Sequence, residues 1–425
     1  MPQIVLKPRK ARPLFGRHPW VLDSAIDRIE GSVADGDVVD LVSHRGEFIG
    51  RGVFNSRSRI HVRLYTWESG EALDEAFWRR RLDAAWDLRR QLGYDDPQGA
   101  ARMVFSEGDG LSGLVVDRYG EYLVVQPTAL AMAVRLAALL PMLLELARPR
   151  GIVLRTQGDI VRAEGLAVVS GQLSVVSGQL EPTTGDGQRT TDLQSPIPNP
   201  QSLLWGQWPD GPVPIRQQGI EYAVDLAESQ KTGLYLDQAE NHAAAARYLR
   251  GRRVLDMFCY TGGFALAAAA GGAREVLGID TSRRAVAEAR ANAERNRLAN
   301  VRFEAGEAFE TLQSLTAAGE RFEGVVLDPP RFARSRGAVG EALRAYHRLN
   351  RLALGLLPPG GILVTCSCSG HVGREDFFRM LAGVAQQSRR DLEVLEMRGA
   401  APDHPVAVTC PETEYLKCFV CRAVS

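Results

Sequence analysis

The sequence predicts a multidomain protein: a small β-barrel over residues 1–70, an α+β middle domain over 71–215 and a C-terminal α/β domain over 216–425. Three observations carry this expectation. Short runs with period-two alternation, punctuated by glycines, crowd the first 68 residues. From Arg252 onward strand-like and helix-like stretches alternate, the mark of a parallel, doubly wound sheet. A chain of 425 residues also holds two to three domains at about 150 residues each, and its 45% hydrophobic content suffices for packed cores without disulfides.

In the first domain, strands at 38–42 and 47–49 flank the turn Ser43-His44-Arg45-Gly46, and Ile60, Val62 and Leu64 alternate with His61, Arg63 and Tyr65. A helix follows, with Trp78, Leu82, Ala85, Leu88 and Leu92 at helical spacing. Arg79, Arg80, Arg81, Arg89 and Arg90 fall largely on its other side, which reads first as a solvated face and second as a surface toward RNA. A hairpin over 113–125 and a helix over 129–147 continue the middle domain. Residues 168–174 are then repeated almost unchanged as 175–181, and a Thr-, Gly-, Gln- and Pro-rich run extends to about Pro200. Two copies build no solenoid, and the polar run cannot bury enough surface to offset its ordering entropy. Residues 167–203 are therefore expected to form a disordered or loosely packed insertion without chemistry.

In the last domain strands are expected at 253–257, 275–279, 301–303, 324–327, 361–365 and 392–397. A final strand over 415–420 follows without a crossover helix, so it pairs antiparallel.

Charge excludes little, because 51 basic residues balance 51 acidic ones. Only Lys7, Lys10, Lys231 and Lys417 are lysines; the other cations are arginines, suited to bidentate phosphate contacts but also favoured by a GC-rich genome. No apolar stretch has the ~18 uninterrupted residues of a membrane span, and the first ten residues do not read as a secretory leader. Six cysteines without a disulfide framework point to a reducing cytoplasm.

The chemistry concentrates at strand ends. Asp256-Met257-Phe258-Cys259-Tyr260-Thr261-Gly262-Gly263-Phe264 joins the first strand of the last domain to an Ala-rich helix, and its glycines let a ligand approach the backbone. The absence of Gly-x-Gly-x-x-Gly spacing counts against a nicotinamide or flavin enzyme. Asp280 ends the second strand, where a carboxylate can accept both ribose hydroxyls or, more simply, cap the helix beside Ser282. Glu307 lies just beyond the third strand, and Asp328-Pro329-Pro330 ends the fourth. Acidic groups on successive strand ends suit a cationic nucleoside without a pyrophosphate, which S-adenosylmethionine is.

The fifth strand ends Val364-Thr365-Cys366-Ser367-Cys368-Ser369, placing a thiol across from Asp328. Carbon-5 of a pyrimidine is a poor nucleophile until a thiolate adds to carbon-6, and a carboxyl group such as Asp328 can assist at the ring nitrogen. Zinc is disfavoured, since Cys418 and Cys421 stand in an apparent strand whose i and i+3 side chains point to opposite faces. No metal is expected.

On these residues the chain resembles the ribosomal large-subunit methyltransferase I family, S-adenosylmethionine-dependent cytosine-5 methyltransferases of 23S rRNA. The resemblance spans nearly everything outside the insertion: Gly16-Arg17-His18-Pro19-Trp20, the run from Glu107 to Tyr119, Ser229-Gln230-Lys231-Thr232-Gly233-Leu234-Tyr235, His404-Pro405-Val406 and Glu414-Tyr415-Leu416-Lys417. It implies an RNA-binding PUA domain at the N-terminus and a Rossmann-like class I methyltransferase domain at the C-terminus. It further implies that Asp256, Phe258, Gly262, Asp280, Glu307 and Asp328 line the cofactor pocket, flanked by Tyr260, Thr261 and Ser282. Gln230, Lys231, Thr232 and Gly233, with Pro329 and Pro330, would form a lid or the RNA approach. The family's Ser-Cys-Ser element makes Cys368, rather than Cys366, the nucleophile. The chain departs from many cytosine-5 RNA methyltransferases in carrying Pro329-Pro330-Arg331 where they have a second cysteine, and the insertion lies outside the family pattern.

The implied partner is 23S rRNA, no membrane partner is expected, and a homodimer is compatible with the sequence. Two alternatives remain open. Asp328-Pro329-Pro330-Arg331-Phe332 resembles the motif of guanine-N methyltransferases, which need no thiol. A noncatalytic RNA-binding assembly factor would keep the barrel and a vestigial pocket.

Overall fold

Alternating burial organises the N-terminal strands, as the sequence pattern requires. In the computed structural model, which describes residues 1–166, 201–226, 234–333 and 335–424, β1 (Gln3–Leu6), β2 (Trp20–Leu22), β3 (Ile26–Glu30), β4 (Val38–Val42), β5 (Phe48–Phe54) and β6 (Ile60–Thr66) form one sheet. Its order is β2-β6-β5-β4-β1-β3, with β1 and β4 parallel and the other pairs antiparallel. Ile4, Leu6, Val39, Leu41, Val62 and Leu64 fill its core. At Gly52 a Cβ would stand 2.2 Å from the Arg63 carbonyl oxygen, so the close approach of β5 and β6 there needs glycine.

A second sheet has the order β11-β10-β9-β8-β7, built from β7 (Ala100–Phe105), β8 (Leu114–Tyr119), β9 (Tyr122–Pro127), β10 (Gly151–Arg155) and β11 (Gln201–Gly206). Residues 201–203 are thus strand, and the expected insertion ends by residue 200; 167–200 lie outside the described residues. Their pairing with β10 outweighs the polar composition that suggested a longer loop. The helix expected over 129–147 is two helices, Leu130–Ala133 and Leu136–Ala147, parted at Arg135.

The arginine-bearing helix, Glu75–Gln91, also differs from its reading as one solvated or RNA-facing surface. Arg89 is fully buried, pairs with Asp109 at 2.6 Å and donates to the carbonyls of Arg102 and Asp403. Arg79, Arg80 and Arg90 pair with Glu145, Glu71 and Asp87. A charged side chain at an apolar position is tolerated because its donors are satisfied.

Beyond a hairpin of β12 (Val213–Gln217) and β13 (Ile220–Val224), the rest of the chain forms a seven-stranded sheet of order β16-β15-β14-β17-β18-β20-β19. Its strands are β14 (Arg253–Met257), β15 (Glu275–Asp280), β16 (Val301–Ala305), β17 (Gly324–Leu327), β18 (Ile362–Ser367), β19 (Leu392–Arg398) and β20 (Lys417–Ala423). The first five are mutually parallel, and β20 runs antiparallel between β18 and β19. Continuous apolar burial along β14, β17 and β18 is what a sheet covered on both faces demands.

By contacts the chain divides into two compact units. One comprises Met1–Val213, the described residues 224–226 and Asp403–Thr413; the other comprises Pro214–Ala223, Leu234–Pro402 and Glu414–Ser425. No helix among the described residues is long and apolar enough to cross a membrane.

Within the second unit, His242 on the helix Ala239–Leu249 packs its ring edge-on against Phe264 at 4.5 Å. A Cβ on Gly263 would sit 2.4 Å from that ring. Burial pushes the His242 imidazole down to about 3. An unfolded histidine protonates near ~6.5, so the unfolded chain takes the proton first on acidification. The His242 contribution to stability is therefore complete above about pH 6.5 and declines toward about pH 3. His242→Phe should flatten the acid limb of the stability profile in denaturant titrations; an unchanged limb would assign acid sensitivity elsewhere.

Candidate active site

The carboxyl ends of β14 and β15 are joined by backbone hydrogen bonds that shape the turn between β14 and the helix Gly263–Ala270. The Cys259 amide donates to the Ile279 carbonyl at 2.9 Å, and the Gly262 amide donates to the Cys259 carbonyl at 2.8 Å. Three residues of this turn have left-handed backbones: Phe258 at φ 66°, Tyr260 at φ 47° and Gly262 at φ 97°. Only the last is glycine, so the turn holds conformational strain at two side-chain-bearing positions. Neighbouring packing enforces it. A Cβ at Gly278 would meet the Phe303 ring at 2.5 Å, so β15 lies tight against β16 beneath the turn.

Asp280 braces the same turn. One carboxylate oxygen accepts from the Tyr260 amide at 2.9 Å and the other from the Ser282 amide at 2.8 Å. Capping of the helix Arg283–Arg295 falls to Ser282, whose hydroxyl accepts from the Ala285 amide at 3.2 Å. Asp280 is thus not the helix cap, and as a carboxylate it retains acceptor capacity toward a ligand.

Asn292, which the sequence reading did not single out, ties this region together. It is buried, donates to the Thr261 carbonyl at 3.2 Å and accepts from the Ala223 amide at 3.3 Å. Its only sequence signal is an amide on the apolar face of an amphipathic helix. Tyr235 stacks edge-on against Tyr260 at 5.2 Å. Gln230, Lys231, Thr232 and Gly233, expected at the lid, lie outside the described residues.

Electrostatically the pocket is acidic and unbalanced. Asp256 is buried near the end of β14, and neither of its oxygens makes a well-formed hydrogen bond. Burial, then the Asp328 and Asp280 charges, hold its carboxyl well above the usual range, with partial relief from the Ala265 amide. A cationic ligand would offset this cost. Glu307 is exposed at the start of the helix Ala308–Ala317, farther from such burial.

The loop after β17 meets the end of β18. The Cys368 thiol, half-buried, points to the Pro329 carbonyl at 3.9 Å, and the Arg331 guanidinium reaches the Cys368 carbonyl at 3.4 Å. Cys366 is fully buried, faces Cys418 across the β18–β20 ladder, and burial drives its thiol far above the ordinary range. Burial likewise pushes up Cys259 and Cys421.

One further cluster, His18, Cys410 and Glu412, has ligand atoms within 4.8 Å of one another. His18 Nδ1 accepts the Trp20 amide at 3.2 Å, which leaves the proton on Nε2 to bond Glu412 at 3.2 Å. That tautomer has no free nitrogen lone pair for a metal, and the cluster reads as a hydrogen-bonded chain.

This fold and pocket define an S-adenosylmethionine-dependent methyltransferase. A family model of that description matches residues 204–411, and a PUA-like domain model matches residues 4–67. The same fold occurs in SMU.776, described as a methyltransferase and solved with SAH, at a TM-score of 0.79 and 19% identity over 99% of this chain and 100% of that one. The chain is 35% identical over 424 residues to Ribosomal RNA large subunit methyltransferase I of Shigella dysenteriae and of Escherichia coli, covering 99% of this chain and of each relative. The protein of that name from Salmonella newport is 35% identical over 425 residues, covering 100% of this chain and 98% of that one. The chain belongs to the ribosomal RNA large subunit methyltransferase I family.

The acidic pocket fits the sulfonium and ammonium of S-adenosylmethionine. Because the folded Asp256 carboxyl is raised, its contribution to stability is lost as pH rises through the raised value. Asp256→Asn should therefore raise the melting temperature, increasingly so toward alkaline pH. It should also weaken S-adenosylmethionine binding about tenfold in calorimetry. A lower melting temperature with unchanged affinity would make Asp256 a structural group.

Proposed function

We propose that this chain methylates carbon-5 of a cytosine in 23S rRNA, with Cys368 as nucleophile and Asp328 assisting at the ring nitrogen. Bound S-adenosylmethionine supplies an electrophilic methyl group. Asp256 and Asp280, with Phe258, Tyr260, Thr261, Gly262, Ser282 and Glu307, line its pocket in this reading. Residues 1–70 and 71–215 serve RNA binding, and 216–425 carry the chemistry. Gln230, Lys231, Thr232, Gly233, Pro329 and Pro330 border the RNA approach. Six cysteines, all free, suit work in a reducing cytoplasm.

One observation carries the cytosine-5 reading: of two cysteines at the end of β18, Cys366 is sealed in the core and Cys368 is accessible beside the Asp328-Pro329-Pro330 loop. Addition of the Cys368 sulfur to carbon-6 makes carbon-5 electron-rich, while the Asp328 carboxyl hydrogen-bonds the ring nitrogen. Loss of the carbon-5 proton restores the ring double bond and expels the thiolate. A guanine-N methyltransferase of the same fold would have no use for an accessible thiol here.

Target RNA carrying 5-fluorocytosine separates these readings, because fluorine cannot leave as a proton does. A denaturant-stable protein–RNA adduct should accumulate only with S-adenosylmethionine present. Cys368→Ala should abolish both adduct and methylation, whereas Cys366→Ala should keep both with some loss from repacking. Methylation that survives loss of both thiols would remove the cytosine-5 assignment.

A further inference from the structure

On four helices of this chain an exposed arginine is matched by an acid of the same helix. Arg90, Arg162, Arg284 and Arg379 each pair with a carboxylate three or four residues away. The helix Val339–Leu356, which follows the Asp328-Pro329-Pro330 loop, departs from that rule. It carries Arg344, Arg348 and Arg351 at i, i+4 and i+7, all exposed. At about 100° per residue they fall within roughly 60° of one another, opposite the buried face of Ala342, Tyr346, Leu349 and Ala353. Like charges at that spacing repel, and Glu341, the one acid of the helix, does not relieve them. Among the described residues no carboxylate stands within ion-pair distance of Arg344, Arg348 or Arg351, nor of Arg336 in the turn Arg336–Ala338 just before the helix.

This stripe is fixed relative to the candidate active site. β17 and β18 are parallel, so the helix between them runs back from their carboxyl ends, and Arg344 lies nearer those ends than Arg351. The Tyr346 and Ser369 hydroxyls are hydrogen-bonded at 3.1 Å, which ties the helix to the residue after Cys368. Arg331, exposed in the loop between β17 and the helix, reaches the Cys368 carbonyl at 3.4 Å. A guanidinium has five N–H donors, so most of those on Arg331 remain for a ligand. Arg348 stacks over the Phe309 ring at 4.8 Å, which sets the plane of its guanidinium. The helical rise puts Arg344 and Arg348 about 6 Å apart along the axis, a spacing that successive phosphates of a single strand can match.

We propose that Arg331, Arg336, Arg344, Arg348 and Arg351 form a track that binds the phosphate backbone of the substrate RNA beside the target base. Their planar forks match phosphate oxygens two at a time. A chain whose charges balance has no global field to attract a polyanion, so its attraction must be local. On the helix Glu75–Gln91, by contrast, Arg79, Arg80, Arg89 and Arg90 already have carboxylate partners. The unit that carries the chemistry thus also grips the RNA. This rests on rRNA being the substrate and does not depend on which atom of the base is methylated.

The test is filter binding of transcribed 23S rRNA by the full-length protein over a range of salt. Changing Arg344, Arg348 and Arg351 together to glutamine should flatten the slope of log affinity against log salt by about two, at about 0.7 per lost phosphate contact. Affinity should fall about tenfold or more at about 0.1 M salt, while the melting curve and S-adenosylmethionine affinity stay as in the wild type. Lysine at the same three positions should restore most of the slope. Glutamine at Arg302, Arg379 and Arg422, which have acid partners, lowers the net charge equally and should leave the slope unchanged. In the wild type, rRNA should protect Arg344, Arg348 and Arg351 from phenylglyoxal, read by peptide mass spectrometry. An unchanged slope in the folded glutamine variant, or no protection, would overturn the track and leave the rRNA reading standing. A wild type without salt-dependent binding to 23S rRNA would overturn both. Polyglutamate that displaces the rRNA as well as rRNA itself does would make this a face for acidic peptides and overturn the RNA assignment.

Discussion

Like-charged carboxylates gathered at the carboxyl ends of neighbouring parallel strands are the constraint on which the rest of the site depends. Burial and the charges of Asp328 after β17 and Asp280 at the end of β15 raise the cost of ionising Asp256 on β14. Parallel strands in register bring these positions together whatever their side chains. A fold that keeps acidic residues there loses stability and gains a place where a cation is welcome. The strained turn at Phe258 and Tyr260 belongs to the same arrangement, since Asp280 holds the Tyr260 amide in place.

The antiparallel strand β20 has a second consequence. Inserted between β18 and β19, it seals Cys366 against Cys418 and brings Lys417 beside the loop bearing Cys368. Two cysteines separated by one residue thereby acquire opposite character. One is a core residue whose thiol resists ionisation; the other is half-buried, next to the Ser369 carbonyl that accepts from Lys417.

In the first unit, buried charge plays a structural part. Arg63 bridges Glu107 and Glu164, and Arg102 pairs with Asp117. Arg89 donates to the carbonyl of Asp403, on the segment Asp403–Thr413 that groups with this unit. Removing one partner of such an arrangement strands the others in a medium that solvates charge poorly. The arginine richness of the chain is therefore partly architecture, and the helix Glu75–Gln91 is the clearest instance.

Sequence alone determined the elements whose signal is local. Alternation of period two, the switch to strand–helix alternation after Arg252, and acidic residues at strand ends with a glycine turn between them all reflect rules acting within about ten residues. They sufficed for the sheet types, the antiparallel last strand and the class of ligand. Only the tertiary structure decided where a side chain's partners come from distant parts of the chain. Arg89 looked solvent-facing until Asp109 and the Asp403 carbonyl closed on it. Residues 201–203 looked like loop until β10 supplied a pairing edge. Asn292 carried no motif, yet it joins the turn at Thr261 to β13. The contrast between Cys366 and Cys368 arises because burial and proton affinity belong to the assembled environment, which no window of neighbouring residues contains.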